Sequence, residues 1–560
     1  FEMSIVEALG LLKVDFLGLA TLTIMAKACS LIKERHGVNL NLYNIPVDDP
    51  ETYEFIGAGH TAGVFQLEGT GMTRYITQMK PTNLANVIAM VALYRPGPLE
   101  FIPSYIKRMH GEEEVTYLDP ALEPIFGETY GIPIYQEQIM LAAMEIAGYT
   151  ATNADELRKA ISKKKADQIA KHRERFIEGA QKKGMQPETA AKIFEDWENF
   201  ARYGFNKSHA ADYGVIAVQT AYLKAHYTVE YMTALLSASK NETEKVAQYV
   251  ADCRAMGIEV LPPEINHSQW DFAIEDRPGQ PAAIRFGMGA VKNVGQASID
   301  LILAARAEGG PFKDLTDLAH RVDLRQVSKR PLECLTRVGA LDSFGPRLAI
   351  LEAMDRILSV SASHFRALQA GQMSFFGMEN GISSSITLPP SVTLDRREQL
   401  SWEKELLGLY VSEHPIQHFM PYLKKKITHF SNELSEVGKK DKVKVAGMVV
   451  RMRPHQTKDG KPMGFVSMED LQGNLELVVF PRTWESYHEL FQVDAILIVE
   501  GKVDNESGDA KILVDSVIPV TEEDLAGALS SGANTGKAAA AGVRAQPEGG
   551  MHGAVPDQGD

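Results

Sequence analysis

Apolar residues recur at three- and four-residue spacing along most of the first 275 positions, with polar residues and Gly/Pro breaks between the runs. This spacing places apolar side chains on one face of an α-helix. The pattern predicts long helices over seven segments: 21–36, 85–94, 137–147, 155–183, 188–201, 215–239 and 244–256. Shorter helices between glycine turns are expected over 276–350, and further helices to residue 440. The first 440 residues are therefore expected to be mainly α-helical.

The pattern changes at residue 442, where apolar and polar residues begin to alternate and β-branched residues become frequent. Alternation predicts strands, and five are expected over 442–451, 464–470, 474–480, 495–503 and 510–517. A helical stretch follows the third strand, which favours an OB-type β-barrel; an SH3-like barrel is the alternative. After Thr521 the chain is rich in Ala and Gly and almost free of aromatic residues, so 521–560 is predicted to be a disordered tail.

Composition narrows the choice of partners and compartment. The 560 residues suggest about three to five domains. The net charge is −15, so a nucleic-acid site must be a local basic patch. Cys29, Cys253 and Cys334 lie far apart, which excludes a disulfide scaffold and a Cys-based zinc site and favours the cytoplasm. No apolar run is long enough for a transmembrane helix, so no membrane association is expected.

A basic run over 157–183 is the first candidate for phosphate chemistry. Within it, Arg158, Lys159 and Lys163 span about one and a half helical turns and can present cations to a triphosphate or a nucleic-acid backbone. A solvated helix face is the alternative interpretation, although such faces usually carry both signs of charge. The excess of cations indicates nucleotide or nucleic-acid contact.

Two further segments combine charged and aromatic residues. Lys207, Ser208 and His209 can bind phosphate, with Tyr203 or Phe205 stacking on a base. Near the N-terminus, Asp15 lies in an apolar stretch, two residues from Lys13 and therefore on the same face of a strand. A carboxylate for a metal beside an ammonium for phosphate suits phosphoryl transfer, whereas a carboxylate that caps the following turn is the alternative.

Residues 287–299 fit a helix-hairpin-helix turn, and a similar pattern follows over 328–339. Its glycines permit a tight hairpin, and the N-terminal amides of the next helix can hold a DNA phosphate without reading the base sequence. The candidate DNA contacts are Lys292, Asn293 and Gly295. An ordinary glycine-turned hairpin is the alternative.

The segment Gln372, Met373, Ser374, Phe375 and Phe376 lies in a polar, glycine-flanked stretch. Two adjacent exposed phenylalanines are unfavourable unless a pocket accepts them. The segment therefore suits a short peptide anchor for a partner protein, with local docking onto the same chain as the alternative.

With these residues described, the chain resembles the C-terminal portion of the alpha subunits of bacterial DNA polymerase III, the replicative C-family DNA polymerases. The resemblance extends from about residue 11 to 520. It is carried by an ordered set of strings: 13–19 (KVDFLGL), 64–68 (VFQLE), 92–98 (ALYRPGP), 134–138 (IYQEQ), 203–209 (YGFNKSH), 219–227 (QTAYLKAHY) and 407–415 (LGLYVSEHP).

The resemblance implies a domain order: the end of a palm domain (1–20), fingers (21–275), tandem helix-hairpin-helix and clamp-binding region (276–377), helical connector (378–440), OB domain (441–520) and tail. It also implies site roles. Asp15 matches a catalytic carboxylate that binds Mg²⁺, and Lys13 matches the lysine that faces the incoming nucleotide. Arg158 and Lys159 match basic finger residues at the triphosphate, and residues 372–376 match the box that binds the sliding clamp.

The implied activity is template-directed addition of dNTPs to a primer 3′-hydroxyl with two Mg²⁺ ions. Primer-template DNA, dNTPs and the sliding clamp are the expected partners, with proofreading exonuclease and clamp-loader subunits as further candidates. The Asp-x-Asp pair of the family's metal site has no match in this sequence. We therefore expect a C-terminal fragment that does not extend a primer alone. The alternatives are a non-catalytic DNA-binding and clamp-tethering module, or part of an error-prone C-family polymerase.

Overall fold

The computed structural model describes residues 2, 5–6, 9–11, 14, 18–162, 166–200, 204–369, 385–390, 394–434, 437–438, 440–504 and 510–526. The chain divides into two compact units, Phe1–Ser412 and Glu413–Asp560. Several predicted features lie outside the described residues: Lys13, Asp15, Lys163, Tyr203, the segment 372–376 and the tail from 527. Within the part that is described, no helix is both long enough and apolar enough to cross a membrane.

Helices build the first part of the first unit, as the three- and four-residue spacing predicts. They are α1 (Ala20–His36), α2 (Pro50–Gly57), α3 (Thr70–Met79), α4 (Leu84–Leu93), α5 (Ile102–Met109), α6 (Glu123–Phe126), α7 (Gln136–Ala147), α8 (Ala151–Ser162), α9 (Ala166–Lys182), α10 (Pro187–Phe200), α11 (Lys207–His226), α12 (Thr228–Ser239) and α13 (Thr243–Ala255).

Two of the predicted helices differ from the observed ones. The segment expected to be one helix over 155–183 contains α8 and α9. The segment expected over 215–239 contains α11 and α12, which are separated at Tyr227, where the backbone leaves the helical region with φ −135° and ψ 53°. Helix α11 also begins eight residues before the predicted start. Asn206 caps it by accepting a hydrogen bond from the His209 amide at 2.9 Å. The first turn of α11 is polar, so the spacing of apolar residues did not predict this start.

A small sheet and shorter helices complete the first unit. Strands β1 (Val260–Leu261), β2 (Ala273–Glu275) and β3 (Ala283–Arg285) form a sheet of order β1-β3-β2, in which β1 is parallel to β3 and β2 is antiparallel. The helices are α14 (Gln296–Gly309), α15 (Leu315–Arg321), α16 (Leu324–Val327), α17 (Lys329–Arg337), α18 (Arg347–Glu352), α19 (Met354–Gln369) and α20 (Arg396–Leu407). Both expected hairpins are present, ahead of α14 and between α16 and α17.

The glycines of the first hairpin have different roles from those that the sequence indicated. A Cβ at Gly289 would lie 2.7 Å from the ring and the carbonyl oxygen of Trp270, so Gly289 is required by close packing rather than by the turn. At Gly295 no atom lies within 4 Å of a built Cβ. The sequence could not show this difference between Gly289 and Gly295, because Trp270 reaches Gly289 only in the folded chain.

Three hydrophobic clusters hold the first unit together. The largest joins α1 to α12, α13, the small sheet and the hairpin helices, and extends to Leu409 and Val411. A second cluster packs α2 to α5 against α11, and a third joins α7 to α10. Helix α11 contributes residues to both of the first two clusters.

The second unit contains a closed five-stranded barrel of order β4-β5-β6-β8-β7. Its strands are β4 (Lys442–Gln456), β5 (Pro462–Glu469), β6 (Asn474–Val479), β7 (Ile496–Asp504) and β8 (Lys511–Pro519). Strand β6 is parallel to β8, every other pair is antiparallel, and α22 (Pro481–Tyr487) follows the third strand. This arrangement confirms the OB-type barrel and excludes the SH3-like alternative.

The segment expected to be a separate connector is shared between the units. Its first part, including α20, packs in the core of the first unit, whereas Ile416, Phe419 and α21 (Met420–Leu423) pack against Ala446 and Ile498 of the barrel. Leu525 is buried in the same cluster. The prediction that disorder begins at 521 was therefore wrong for 521–526, because the side chain of Leu525 reaches this core.

Candidate nucleotide and nucleic-acid site

A short backbone pairing brings the starts of α7 and α11 together. The Phe205 amide donates to the carbonyl of Ile134 at 3.0 Å, and the Gln136 amide donates to the carbonyl of Phe205 at 2.9 Å. These bonds form an isolated parallel bridge between Tyr135 and Phe205. Two strings that are far apart in the sequence, 134–138 and 203–209, are therefore adjacent in the fold.

The side chain of Gln136 extends this junction to α8. Its Nε2 donates to the carbonyl of Gly204 at 2.9 Å, and its Oε1 accepts from Nη1 of Arg158 at 3.3 Å. The basic finger residue predicted from the cation run thus lies beside the segment that begins α11. Sequence reasoning proposed the two groups separately and missed Gln136, which is the residue that joins them.

The cations at this junction share a carboxylate. Asp155 forms ion pairs with Arg158 and Lys159, each at 2.7 Å. Hydrogen bonds from Lys159 and Arg158 lower the pKa of Asp155. The side chain of Lys159 is 58% exposed, against 31% for Arg158. A bound phosphate would therefore compete with Asp155 for two cations that are already oriented.

Lys207 is arranged in a similar way. Its Nζ lies 2.7 Å and 2.8 Å from the two carboxylate oxygens of Glu128 and 5.4 Å from the ring centre of Tyr135. Its backbone amide donates to Glu137 at 2.9 Å. Ser208 and His209 follow in the first turn of α11, and both are exposed. The structure thus places all three predicted phosphate contacts at one edge of the junction.

An aromatic row runs along α11 from this edge. Phe205, His209 and Tyr213 are spaced at four residues, so their rings lie on one face of the helix. The His209 ring is 5.6 Å from that of Phe205 and 4.3 Å from that of Tyr213. Arg95 lies over the Phe205 ring at 4.6 Å, and Phe65 lies 5.1 Å from Tyr213 at the other end. Tyr213, Arg95 and Phe65 were missed as site residues, although the four-residue spacing on α11 could have identified Tyr213.

We refer to this surface as the α7–α11 face. It comprises Arg95, Gln136, Arg158, Lys159, Phe205, Lys207, Ser208, His209 and Tyr213. Guanidinium and ammonium groups lie beside flat aromatic rings, a combination that binds phosphates through charge and bases through stacking.

The two hairpins form a second candidate surface in the first unit. The Asn293 backbone is left-handed, with φ +66°, and its Oδ1 accepts from Arg330 of the second hairpin at 3.1 Å. The Lys292 amide donates to the carbonyl of Leu406 at 2.9 Å, while its side chain points away from the core. Gly295 has no side chain to cap the amides of α14. The predicted residues therefore lie at an accessible helix N-terminus.

A cleft of about 320 Å³ lies where the hairpins meet the end of α20. Its lining carries three cations and two carboxylates, and it comprises Asn293, Lys329, Arg330, Glu333, Cys334, Arg337, Glu405 and Leu406. Sequence reasoning did not single out the three cations of the second hairpin, which lie here beside the two glutamates.

The predicted metal site is not built by the described residues. Among them, no group of three or more His, Cys, Asp or Glu side chains could hold a metal ion. Asp15, Lys13 and the third finger cation, Lys163, lie outside the described part, as does the segment 372–376. Neither the α7–α11 face nor the hairpin cleft is therefore a metal centre.

Comparison with known proteins gives matches over three parts of this chain. Residues 21–184 match the bacterial DNA polymerase III alpha subunit finger domain, 257–349 match a helix-hairpin-helix motif, and 443–520 match an OB-fold nucleic acid binding domain. The DNA polymerase III subunit alpha of Thermus aquaticus is 43% identical over 534 residues. The proteins of that name from Aquifex aeolicus (strain VF5) and Escherichia coli (strain K12) are each 39% identical, over 526 and 547 residues.

This chain belongs to the family of bacterial DNA polymerase III alpha subunits. The three alignments each cover 93% of the chain but only 43%, 43% and 46% of the relatives, so it spans less than half of their length. The finger-domain match includes Arg95, Gln136 and Arg158, and it ends before α11. The α7–α11 face is thus partly inside and partly beyond that match.

The barrel has two exposed phenylalanines. Phe465 on β5 is paired with Arg453 on β4 and with Val478 on β6. Its side chain is 37% exposed, and that of Phe480 is 47% exposed. Both phenylalanines are therefore at the surface rather than in the barrel core. The ring of His455 lies 5.7 Å from that of Phe465, at an interplanar angle of 57°.

Proposed function

We propose that this chain provides the nucleotide-binding and DNA-binding parts of a replicative DNA polymerase that adds dNTPs to a primer 3′-hydroxyl. The observation that supports this proposal best is the Gln136 bridge. It holds Arg158 of the finger helix beside the first turn of α11 and its aromatic row. Charge for a triphosphate and rings for a base then lie on one rigid surface.

The side chains of the α7–α11 face would bind and orient the incoming nucleotide. Arg158 and Lys159 exchange part of their contact with Asp155 for phosphate oxygens, and Lys207 does the same with Glu128. Each exchange replaces one charge-assisted contact with another, so little desolvation is required. The fixed rings of Phe205 and His209 hold a base without selecting its identity, which suits an enzyme that accepts four nucleotides.

Mg²⁺ is proposed as the cofactor, with Asp15 as its ligand in this chain and Lys13 next to the incoming nucleotide. When bound, Mg²⁺ neutralises negative charge on the reacting phosphates. The described residues form no metal cluster, and the roles derived above for Arg158, Lys159 and Lys207 involve only binding and orientation. Lys163, four residues beyond Lys159 and five beyond Arg158, is proposed as a further phosphate contact.

The remaining surfaces are proposed to hold the DNA and its clamp. Lys292, Asn293 and Gly295 would contact phosphates of the duplex, and Phe465 and Phe480 would stack on unpaired bases. Residues 372–376 would anchor the chain to a sliding clamp. A modest peptide affinity suffices there, because DNA held by both proteins makes the second contact effectively intramolecular.

The test compares Arg158→Ala with Lys171→Ala, which removes an exposed cation from α9, in a full-length alpha subunit that carries this chain. Loss of one charge-assisted phosphate contact costs about 1.5–3 kcal/mol, so Arg158→Ala should raise KM for dNTPs about tenfold or more. Lys171→Ala should leave KM unchanged. Steady-state primer extension measures both.

An unchanged KM in Arg158→Ala, with primer extension intact, would contradict the nucleotide-binding role of the α7–α11 face. If both variants instead weaken DNA binding equally and KM is unaffected, the face is a general electrostatic surface. A DNA-binding module would then be the better description of the chain.

A further inference from the structure

Lys224 is a charged residue buried completely in the first unit, with a side-chain exposure of 0%. Its Nζ donates to the carbonyls of Ala62 at 2.8 Å and His60 at 3.2 Å, and it forms an ion pair with Asp252 at 2.8 Å. Burial lowers the pKa of Lys224, and Asp252 opposes that effect. A buried ammonium is costly unless its donors are used, so these contacts fix the loop that supplies the two carbonyls.

Further hydrogen bonds hold the same loop, residues 60–68, in place. The Tyr231 hydroxyl donates to the carbonyl of Gly63 at 2.6 Å. Glu68 accepts from the Gly63 amide at 3.1 Å and from the Tyr249 hydroxyl at 3.0 Å. The Phe65 amide donates to Thr220 at 3.1 Å. Helices α11, α12 and α13 therefore all hold this loop, and its conformation is fixed from three sides.

The loop holds one residue in an unfavourable conformation. Gln66 has φ +61°, the left-handed region that residues with a Cβ avoid. Its side chain is exposed and makes no hydrogen bond with any described residue. The local strain therefore has no compensation from Gln66 itself, and the buried network around Lys224 maintains it.

The neighbouring residue connects the loop to the α7–α11 face. The Phe65 ring lies 5.1 Å from Tyr213, whose ring lies 4.3 Å from His209. Phe65 is half-buried, so it continues the aromatic row while leaving an edge accessible. Gln66 follows Phe65 directly in the chain, and its side chain is exposed.

We propose that residues 60–68 form a rigid lip that contacts nucleic acid through Phe65 and Gln66, and that Lys224 is the positioning residue of this lip. The inference rests on the proposed function of the α7–α11 face and adds a contact beyond the nucleotide. The occupant is a DNA strand bound along the aromatic row. Phe65 supplies a stacking surface for its next base, and the Gln66 amide supplies hydrogen bonds to its base edge or backbone.

The first test separates strain from function with Gln66→Gly. Glycine accepts φ +61° without strain, so the melting temperature of the 560-residue chain should stay the same or rise. Affinity for a primer-template duplex with a single-stranded 5′ extension should fall about fivefold, the scale of one lost hydrogen bond. Fluorescence anisotropy at one fixed salt concentration measures this affinity. The matched control is Asp494→Gly in the barrel unit, where φ is +69°; it should not weaken binding.

The second test asks whether Lys224 acts through the lip. Phe65→Ala and Lys224→Met should each weaken DNA affinity, and the double variant should lose no more than the more affected single variant. A purely structural lysine would instead give additive losses in the double variant. If Lys224→Met does not fold, the results for Gln66→Gly and Phe65→Ala decide the role of the lip.

The outcomes distinguish this inference from the proposed function. If the unaltered chain does not bind the primer-template, the proposed function fails. If it binds, and Gln66→Gly and Phe65→Ala both bind equally well, the lip is a packing feature and the inference is overturned. Additive losses in the double variant would remove only the positioning role of Lys224.

Discussion

Lys207 and Glu128 form an ion pair in which both side chains remain more than 40% exposed, at 42% and 44%. Exposed pairs contribute little to stability, about 0–1 kcal/mol, so Glu128 can be changed without unfolding the chain. If Glu128 and phosphate compete for Lys207, Glu128→Gln should strengthen dNTP binding about two- to fivefold and change stability little. Isothermal titration with dNTPs measures the affinity. Weaker binding in Glu128→Gln would show that Glu128 orients Lys207 rather than competing for it.

The same residues show what sequence can reveal at this scale. Arg158 and Lys207 were predicted because runs of cations and phosphate-binding residue types are visible in the sequence. Glu128 lies 79 residues from Lys207, and Gln136 lies 68 residues from Gly204. No local sequence pattern could therefore predict that Lys207 contacts Glu128 or that Gln136 contacts Gly204. The partners that orient the cations are set by tertiary packing, and they could not be predicted.

At the scale of elements, the second hairpin depends on the cap of its first helix. Asp323 caps α16 and forms an ion pair with Arg325 at 2.7 Å. The hydrogen bonds from Arg325 lower the pKa of Asp323 to about 2. Because this pKa is lower in the folded chain, the ionised carboxylate stabilises the fold fully above about pH 4, and this contribution falls as the pH drops toward 2. Asp323→Asn should therefore destabilise the chain by about 1 kcal/mol at pH 7.

Urea unfolding at a series of pH values from 7 to 3 checks this dependence. The difference between Asp323→Asn and the unaltered chain should shrink below pH 4. The matched control is Asp314→Asn, because Asp314 caps α15 by accepting a hydrogen bond from the Asp317 amide. A difference that stays constant over the whole range would contradict the role of the Asp323 charge.

Elements were predicted well where the apolar period was regular and poorly where polar contacts set their ends. All five barrel strands begin within two residues of their predicted starts, because β-branched alternation is a strong local signal. The start of α11 was missed because its first turn is polar and its cap, Asn206, is held by Glu137 from another helix. Gly289 was assigned to a turn because the Trp270 ring that packs on it cannot be seen in a linear pattern.

For the whole molecule, the division after Ser412 predicts that the barrel unit folds without the first unit. A fragment of residues 413–526 contains both hydrophobic clusters of that unit, whereas 441–520 lacks Ile416, Phe419, Met420, Leu423 and Leu525. Each buried apolar side chain contributes about 1.5–3 kcal/mol, so the longer fragment should be the more stable by several kcal/mol. Urea unfolding followed by circular dichroism compares them. Equal stability of the two fragments would mean that the cluster of Ile416, Phe419 and Leu525 is dispensable.

The hydrogen bonds that hold the lip also affect the order in which parts of the protein form during translation. Lys224 and Tyr231 follow the carbonyls they bind by 164 and 168 residues. At about 5–20 residues per second, translation needs on the order of ten seconds or more to supply them. During that interval the segment around Phe65 has been made while the helices that will hold it have not. The proposed lip is thus encoded early and completed late, so a prematurely terminated chain would carry the finger helices without a finished lip.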